Sequence, residues 1–240
     1  MTILDDLTSQ LTMNAPVRDI RQGVFHTAVV TQDCGLAATL PKDALRQPPP
    51  MVAEPGSLLK KSAGELVKLA YSPRILEAAI GMAAINSLLD VDMEACLELN
   101  AADLIMEKGR GKQVAIVGHF PFIPRIRETA RRVWVIEKNP QDDDLGEDAA
   151  GSVIPEADVV AITGTSLTHH TLEGLLGLRR PDAFVVLLGD TAPLSSVLLD
   201  YGVDAVSGTR VVDPELVLQC VSQGANFRQI KGVRRLTMMR

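Results

Sequence analysis

The sequence predicts an α/β protein: a Rossmann-like parallel-sheet domain preceded by a smaller α+β domain. Three observations carry this. From about residue 112 the chain alternates short aliphatic runs with amphipathic helical stretches. Before that point it follows a different pattern, a hairpin and then helices. The composition, 46% apolar but only 3% aromatic, requires a core of Ala, Val, Leu and Ile, the residues of buried parallel strands and their covering helices.

Strands are expected at 114–117, 133–136, 159–162, 184–188 and 205–206, each aliphatic or β-branched as strands covered on both faces are. Helices between them carry end signals. Thr191 can cap and Pro193 can start a helix with Leu194, Val197, Leu198 and Tyr201 on one face, closed by Gly202. Asp213-Pro214 opens another, with Val217, Cys220 and Val221 facing inward and Gly224 ending it. Such alternation implies parallel strands joined by right-handed crossovers.

The first hundred residues lack this rhythm. Leu4, Leu7 and Leu11 predict a short opening helix, and 24–30 and 36–40 flank Gln32-Asp33-Cys34-Gly35 as an antiparallel hairpin. Pro48-Pro49-Pro50 then breaks the chain. Ser62 and Glu65 form a capping box for a helix through Ala70, and Ser72-Pro73 starts a longer one through about Leu89. Ala78, Ala79, Gly81, Ala83 and Ala84 allow that helix to pack closely. Asn86 falls on its Ile75, Ala79 and Met82 face, so its amide needs a partner, either local or a ligand across a domain interface. The expected domains are 1–100 and 101–240, joined by a helix at 101–108.

The net charge of −6 argues against a phosphate-backbone binder. Lys231, Arg234, Arg235 and Arg240 read as a solvated tail. Cys34, Cys96 and Cys220 are odd in number and far apart, which disfavours a disulfide framework and a thiolate zinc site. The opening MTILDDLTSQL is acidic where a signal peptide is basic, and no run of about 18 uncharged apolar residues occurs. A soluble, cytoplasmic protein without a membrane partner is expected, with room for a homo-oligomer.

Ligands of open α/β sheets sit outside the carboxyl ends of the strands. Small and polar residues cluster at all five expected exits: Gly118-His119-Phe120-Pro121, Glu137, Thr163-Gly164-Thr165-Ser166, Gly189-Asp190-Thr191 and Ser207-Gly208-Thr209. Gly118 and Glu137 stand 19 residues apart, close to the spacing of a dinucleotide glycine and its ribose-binding acid. The glycine fingerprint itself is missing, and Phe120-Pro121-Phe122 would obstruct a pyrophosphate, which argues against NAD or FAD. Glu137 could hold a ribose, an adenosyl-type ligand or a cation, or be a solvated strand-end carboxylate. The hydroxyls of Thr163, Thr165, Ser166, Thr168 and Thr171 suit an anion or plain helix capping. His169 and His170, adjacent on a helix, point about 100° apart, so at most one should join a site. His26, in a hairpin strand, reads as structural. No HExxH, GxSxG or Walker-type loop is present.

Val117-Gly118-His119-Phe120-Pro121, Glu137-Lys138-Asn139-Pro140, Pro155-Glu156-Ala157-Asp158-Val159-Val160 and Thr163-Gly164-Thr165 resemble the heavy-metal-chelation domain family. Gly35-Leu36-Ala37 and Ile80-Gly81-Met82-Ala83-Ala84-Ile85-Asn86 resemble the domain usually found before it. The resemblance implies an enolase-amino-terminal-like first domain, a Rossmann-like second one, and a link to metal uptake or corrinoid synthesis. The chain departs from it at Thr168-His169-His170-Thr171 and at Gly189-Asp190-Thr191, so it assigns no role to His169, His170 or Asp190.

Two functions stay open. One is a protein that binds a small molecule, a divalent metal ion or a metal complex, with His119 and Glu137 as metal ligands. The other is an enzyme acting on an anionic small molecule, with an adenosyl cofactor and His119 as acid or base. In either case the expected site is one crevice lined by Gly118, His119, Phe120, Pro121, Glu137, Thr163, Thr165, Ser166, Thr168, Gly189 and Gly208, closed by the amino-terminal domain near Asn86, with Glu137 as partner of His119.

The acidic balance predicts no binding to random duplex or single-stranded oligonucleotides at physiological salt. A fluorescence-anisotropy titration checks this, and salt-dependent micromolar binding would refute it.

Overall fold

The computed structural model describes residues 2–49 and 51–240; Pro50, the last of the three chain-breaking prolines, and Met1 lie outside the described residues. The chain opens with α1 (Ile3–Ser9), started by a capping box between Thr2 and Asp5. Strands β1 (Asp19–Gln22), β2 (His26–Val30) and β3 (Cys34–Ala38) form a separate antiparallel sheet in that order. The expected hairpin is thus present. It begins only at His26, because Val24 and Phe25 form the exposed tip of the turn from β1.

Three helices follow: α2 (Pro41–Ala44), α3 (Ala63–Lys68) and α4 (Ile75–Leu88). The Ser62–Glu65 capping box starts α3 as its sequence requires. Helix α4 has no polar face: of its residues only Leu76 and Asn86 are not buried. A helix apolar on every side must be surrounded by protein. Here β2, β3 and α3 all pack on it.

The second sheet has seven strands. They are β4 (Cys96–Leu97), β5 (Gln113–Val117), β6 (Arg132–Ile136), β7 (Val159–Thr163), β8 (Phe184–Leu188), β9 (Ala205–Val211) and β10 (Val233–Met239), in spatial order β4-β10-β9-β8-β7-β5-β6. Strands β5 to β9 are parallel, while β10 and β4 run antiparallel at one end. Between them lie α5 (Ala101–Gly109), α6 (Ile123–Thr129), α7 (Ala150–Val153), α8 (Thr165–Thr168), α9 (Leu172–Leu178), α10 (Val197–Asp200) and α11 (Pro214–Ser222).

Three expectations change. The basic cluster is solvated as expected but is not a tail, for its exposed Arg234 and Arg235 lie in β10. There Arg234 pairs with Glu98 and Arg235 covers the ring of Phe227. Pairing with β10 also carries β9 through Val211, well past the expected end at 206. The helix expected from Pro193 starts only at Val197, because the preceding residues form a buried turn. Ala192 N donates to Gly189 O, and the Thr191 hydroxyl accepts from the backbone of Ala38.

Side chains alternate between two cores, as a strand covered on both faces requires. Val114, Ile116, Val159, Ala161 and Val186 pack with Leu104, Ile105, Ile123 and Ile126 of α5 and α6. Ala115, Val160, Ile162, Val185 and Leu187 face the other way, into a core continuous with Met82, Ala83 and Ile85 of α4. A third cluster joins Ala28 and Leu36 to Val217 and Val221 of α11. Cys220 packs half-buried against this cluster, on the inward face expected for it.

Among the parallel strands the spatial order β6-β5-β7-β8-β9 reverses direction between β5 and β7. That reversal is the topological switch point, where the connections leave to opposite sides and open a crevice beyond the strand ends. The fold therefore puts the exits of β5 and β7 side by side.

The seating of α4 on β3 depends on Gly35. A Cβ there would lie 2.1 Å from Ala83 O and 2.3 Å from Ser87 N, backbone atoms that cannot move aside locally. Gly35→Ala is expected to destabilise the protein by about 3 kcal/mol or more, at the upper end of overpacking costs. Urea denaturation measures this. A loss below about 1 kcal/mol would mean that the contact yields easily.

Candidate functional site

Strand β5 leaves the sheet through Gly118 at φ +106°, a conformation side chains resist. A Cβ there would also meet the Thr163 side chain at 3.1 Å, so glycine lets the exits of β5 and β7 approach. His119 follows, its side chain 46% exposed, and donates from Nδ1 to Asp144 Oδ2 at 2.9 Å. Asp144 is held by the backbone N–H of Gln141, and Leu145 folds back to bond Val135 and Glu137 at the end of β6. The expected partner, Glu137, is not bonded to His119; its Oε1 accepts from Asn139 N at 3.2 Å. The reason is the return of the 141–145 turn over β6, which delivers a different carboxylate to the ring. His119 is also exposed rather than enclosed, so packing does not explain its position.

Across the crevice, His169 lies between Lys138 and Asp43. Lys138 Nζ donates to Nδ1 at 3.3 Å, and Nε2 faces Asp43 Oδ2 at 3.6 Å. Burial, then the adjacent ammonium of Lys138, hold this imidazole below the ordinary histidine value. Asp43 comes from α2, and its second oxygen is buried without a hydrogen-bond partner among the described residues. His170 adopts φ +57° and bonds Ala70 O through Nε2 at 2.8 Å.

The hydroxyls after β7 largely serve their own turn. Thr163 and Thr165 bond each other at 3.0 Å, Ser166 donates to Thr163 O, and Thr171 donates to Ser166 O. Only the buried Thr168 hydroxyl has no partner among the described residues. Helix α8 is a single turn of four residues, so ordinary turn bonding accounts for most of what suited an anion.

These exits surround a cavity of about 620 Å³. Of the expected residues it is lined by Gly118, His119, Phe120, Glu137, Thr163, Thr165 and Ser166. Asn86, Pro121, Thr168, Gly189 and Gly208 do not line it. Asn86 donates to Leu36 O at 2.8 Å beneath the carbonyls of Asp190 and Thr191, a structural link between β3 and the loop after β8. Gly208 lies inside β9 opposite Leu236, where a Cβ would sit 2.6 Å from Ala192 O. Pro121 is exposed, Thr168 is buried in α8, and Gly189 turns the chain towards Asp190. The amino-terminal part closes the crevice through Leu40 and Asp43 instead of Asn86.

Asp43 and Glu147, which carried no sequence signal, and Lys138 of the Glu137-Lys138-Asn139-Pro140 motif complete the wall, with His169 and His170 both present where at most one was expected. His170 joins because its left-handed backbone breaks the helical geometry that would separate it from His169. Asp144 was hidden among Asp142, Asp143 and Asp144, a run in which no local pattern marks the third residue.

Asp190 is sealed elsewhere. Its carboxylate bonds His26 Nε2 at 2.7 Å and accepts from the Thr209 hydroxyl, while His26 Nδ1 faces Ala225 O at 3.1 Å. His26 is structural, as expected, and Asp190 is its partner. No Cys or Met among the described residues lines the crevice, and burial pushes the Cys34 thiol up to about 12. Among the described residues, no three His, Cys, Asp or Glu side chains converge in a way that could hold a metal ion.

Two family models, both described as "Putative heavy-metal chelation", match residues 4–89 and 100–240. An uncharacterized protein of Methanocaldococcus jannaschii is 26% identical over 183 residues, 72% of this chain and 70% of that protein. A crystal structure from Desulfitobacterium hafniense, of unknown function in the second model's family, is similar with TM-score 0.87 and 25% identity, over 99% of this chain and 98% of that one. One from Pyrococcus horikoshii, also of unknown function, has TM-score 0.85 and 23% identity over the same shares.

The setting of His169 is open to measurement. An NMR titration should show it charging below the ordinary histidine range. Lys138→Ala should move its midpoint upward, and Asp43→Asn further down, since the first removes a disfavouring and the second a favouring charge. An unchanged midpoint in Lys138→Ala would show that the two side chains do not meet in solution.

Proposed function

From the premise that the chain belongs to this heavy-metal-chelation family, we propose that it binds a metal-bearing small molecule in the crevice beyond β5, β6 and β7. The observation that carries this reading is the mismatch between cavity and ligands. A space of about 620 Å³ suits an organic molecule and far exceeds a bare ion, while among the described residues no three protein ligands converge in it. His119 remains the candidate contact to a divalent metal in that molecule, with Glu137, Thr163, Thr165 and Ser166 lining the space around it. A place in metal uptake or corrinoid metabolism, as the family resemblance implies, agrees with such a ligand. No helix among the described residues is long and apolar enough to cross a membrane.

A second reading rests on the His119–Asp144 pair, since a carboxylate-oriented imidazole facing a cavity is also an acid–base arrangement. It makes the protein an enzyme acting on a small molecule held in the same crevice.

Protein purified without added ligand and then denatured should release metal and one organic species in equal amounts, read by elemental analysis and mass spectrometry. His119→Ala should lose both while melting within a few degrees of wild type, as expected of an exposed side chain. Release of an organic molecule without metal would favour the enzyme. If the protein retains nothing, and crevice amides respond to no metal complex, the binding reading fails.

A further inference from the structure

We propose that this chain contributes a single bond, from His119 Nε2, to a metal ion already held by an organic chelator, and that Asp144 is the residue that positions it. The inference rests on the reading of the crevice as the site of a metal-bearing small molecule, and adds how the metal is gripped.

The argument begins with one proton. The Asp144 carboxylate, with its side chain 3% exposed, can only accept hydrogen bonds, so the ring nitrogen 2.9 Å from it carries the hydrogen. In the neutral imidazole Nε2 is then bare, with its lone pair in the ring plane on the side away from Asp144. No group among the described residues bonds Nε2, and the ring lines the cavity. A histidine that binds a metal through one ring nitrogen usually donates the other to a carboxylate or carbonyl, as His119 does to Asp144.

Of the other donors around the cavity, His169, His170 and one oxygen of Glu137 already hold partners, whereas Asp43 Oδ1 has none among the described residues. The Nδ1 atom of His169 accepts from Lys138, so a cation there would have to displace an ammonium. His170 bonds Ala70 O, and Glu137 holds Asn139 N. Among the described residues no three His, Cys, Asp or Glu side chains converge, which falls short of the three protein ligands that even an open catalytic zinc site uses. The missing donors must arrive with the metal, which also explains a cavity much larger than an ion. Among the described residues Asp43, Glu137 and Glu147 face it against a single ammonium, that of Lys138, a balance that favours a neutral or cationic complex over an anionic one. Binding is a ligand exchange: the Nε2 lone pair replaces water at an open position of the metal. Nδ1 keeps its proton, and no electron is transferred.

The test uses the full chain with ¹⁵N-labelled histidine, and zinc(II) iminodiacetate as a neutral chelate with open positions. Ligand-free protein should show His119 as the Nδ1–H tautomer, and Asp144→Ala should shift it towards Nε2–H. Adding the chelate should move the His119 Nε2 resonance to saturation at one equivalent. His119→Ala should abolish binding, and Asp144→Ala should weaken it by about 10- to 100-fold, the usual effect of removing an outer-shell partner. The melting temperature reports folding in each variant.

If aqueous zinc binds more tightly than the chelate and shifts His119 together with two further donors, the chain is itself the chelator and the inference falls. If the chelate moves the amides of Thr163 and Thr165 but not Nε2, the crevice reading survives and the ligand role is lost. If no crevice resonance responds to either, both fall. An Asp144→Ala variant with unchanged tautomer and affinity removes the positioning role alone.

Discussion

The burial of α4 is the constraint from which the geometry of the crevice follows. A helix with almost no polar side chain can be stable only if protein covers it on all sides. The antiparallel sheet and α3 cover part of it, and the core on one face of the parallel sheet covers the rest. Small residues make that enclosure tight. A Cβ on Gly81 would stand 1.9 Å from Ala70 N, as close a fit as Gly35 makes on the opposite flank. With α4 fixed, β3 is fixed, and the chain leaving β3 through Leu40 delivers Asp43 to the rim beside His169. One wall of the site is therefore a consequence of core packing far from it.

A second tie holds the same two parts. His26 has acceptors at both ring nitrogens, the Ala225 carbonyl and the Asp190 carboxylate, so the imidazolium form satisfies both contacts. Burying such a pair costs desolvation, and a hydrophobic pair could be equally stable. What it supplies is specificity, because removing either partner would leave a polar or charged group enclosed. The Thr209 hydroxyl completes the shell around Asp190. An acid from a strand exit is thereby taken out of the crevice and made part of the frame.

The donor set left in the crevice is imidazole, carboxylate and hydroxyl, hard to borderline in character. The three cysteines lie elsewhere, and burial pushes the thiols of two of them, Cys34 and Cys96, up. A donor set of this kind suits a soft metal ion poorly. The family description and the geometry agree if chelation is a property of the ligand as much as of the protein.

Much was legible in the chain because it is local. The five parallel strands, the Ser62–Glu65 and Asp213 caps and the hairpin around Asp33 depend on periodicity and on nearby hydrogen bonds, which a linear pattern records. The exits of β5, β6 and β7 were legible for the same reason, since parallel strands must end on one edge. Pairing over long separations was not legible. Strand β10 reads as a basic tail until β9 lies beside it, and Gly208 reads as an exit until that pairing lengthens β9 past it. Nor could the pattern choose among Asp142, Asp143 and Asp144, or predict that Leu40 and Asp43 would close the crevice. The residue types and strand ends of the site were determined by the sequence alone. Which carboxylate meets His119, and which wall faces it, was decided by the folded chain, because those contacts join segments that only the packed cores bring within a few ångströms.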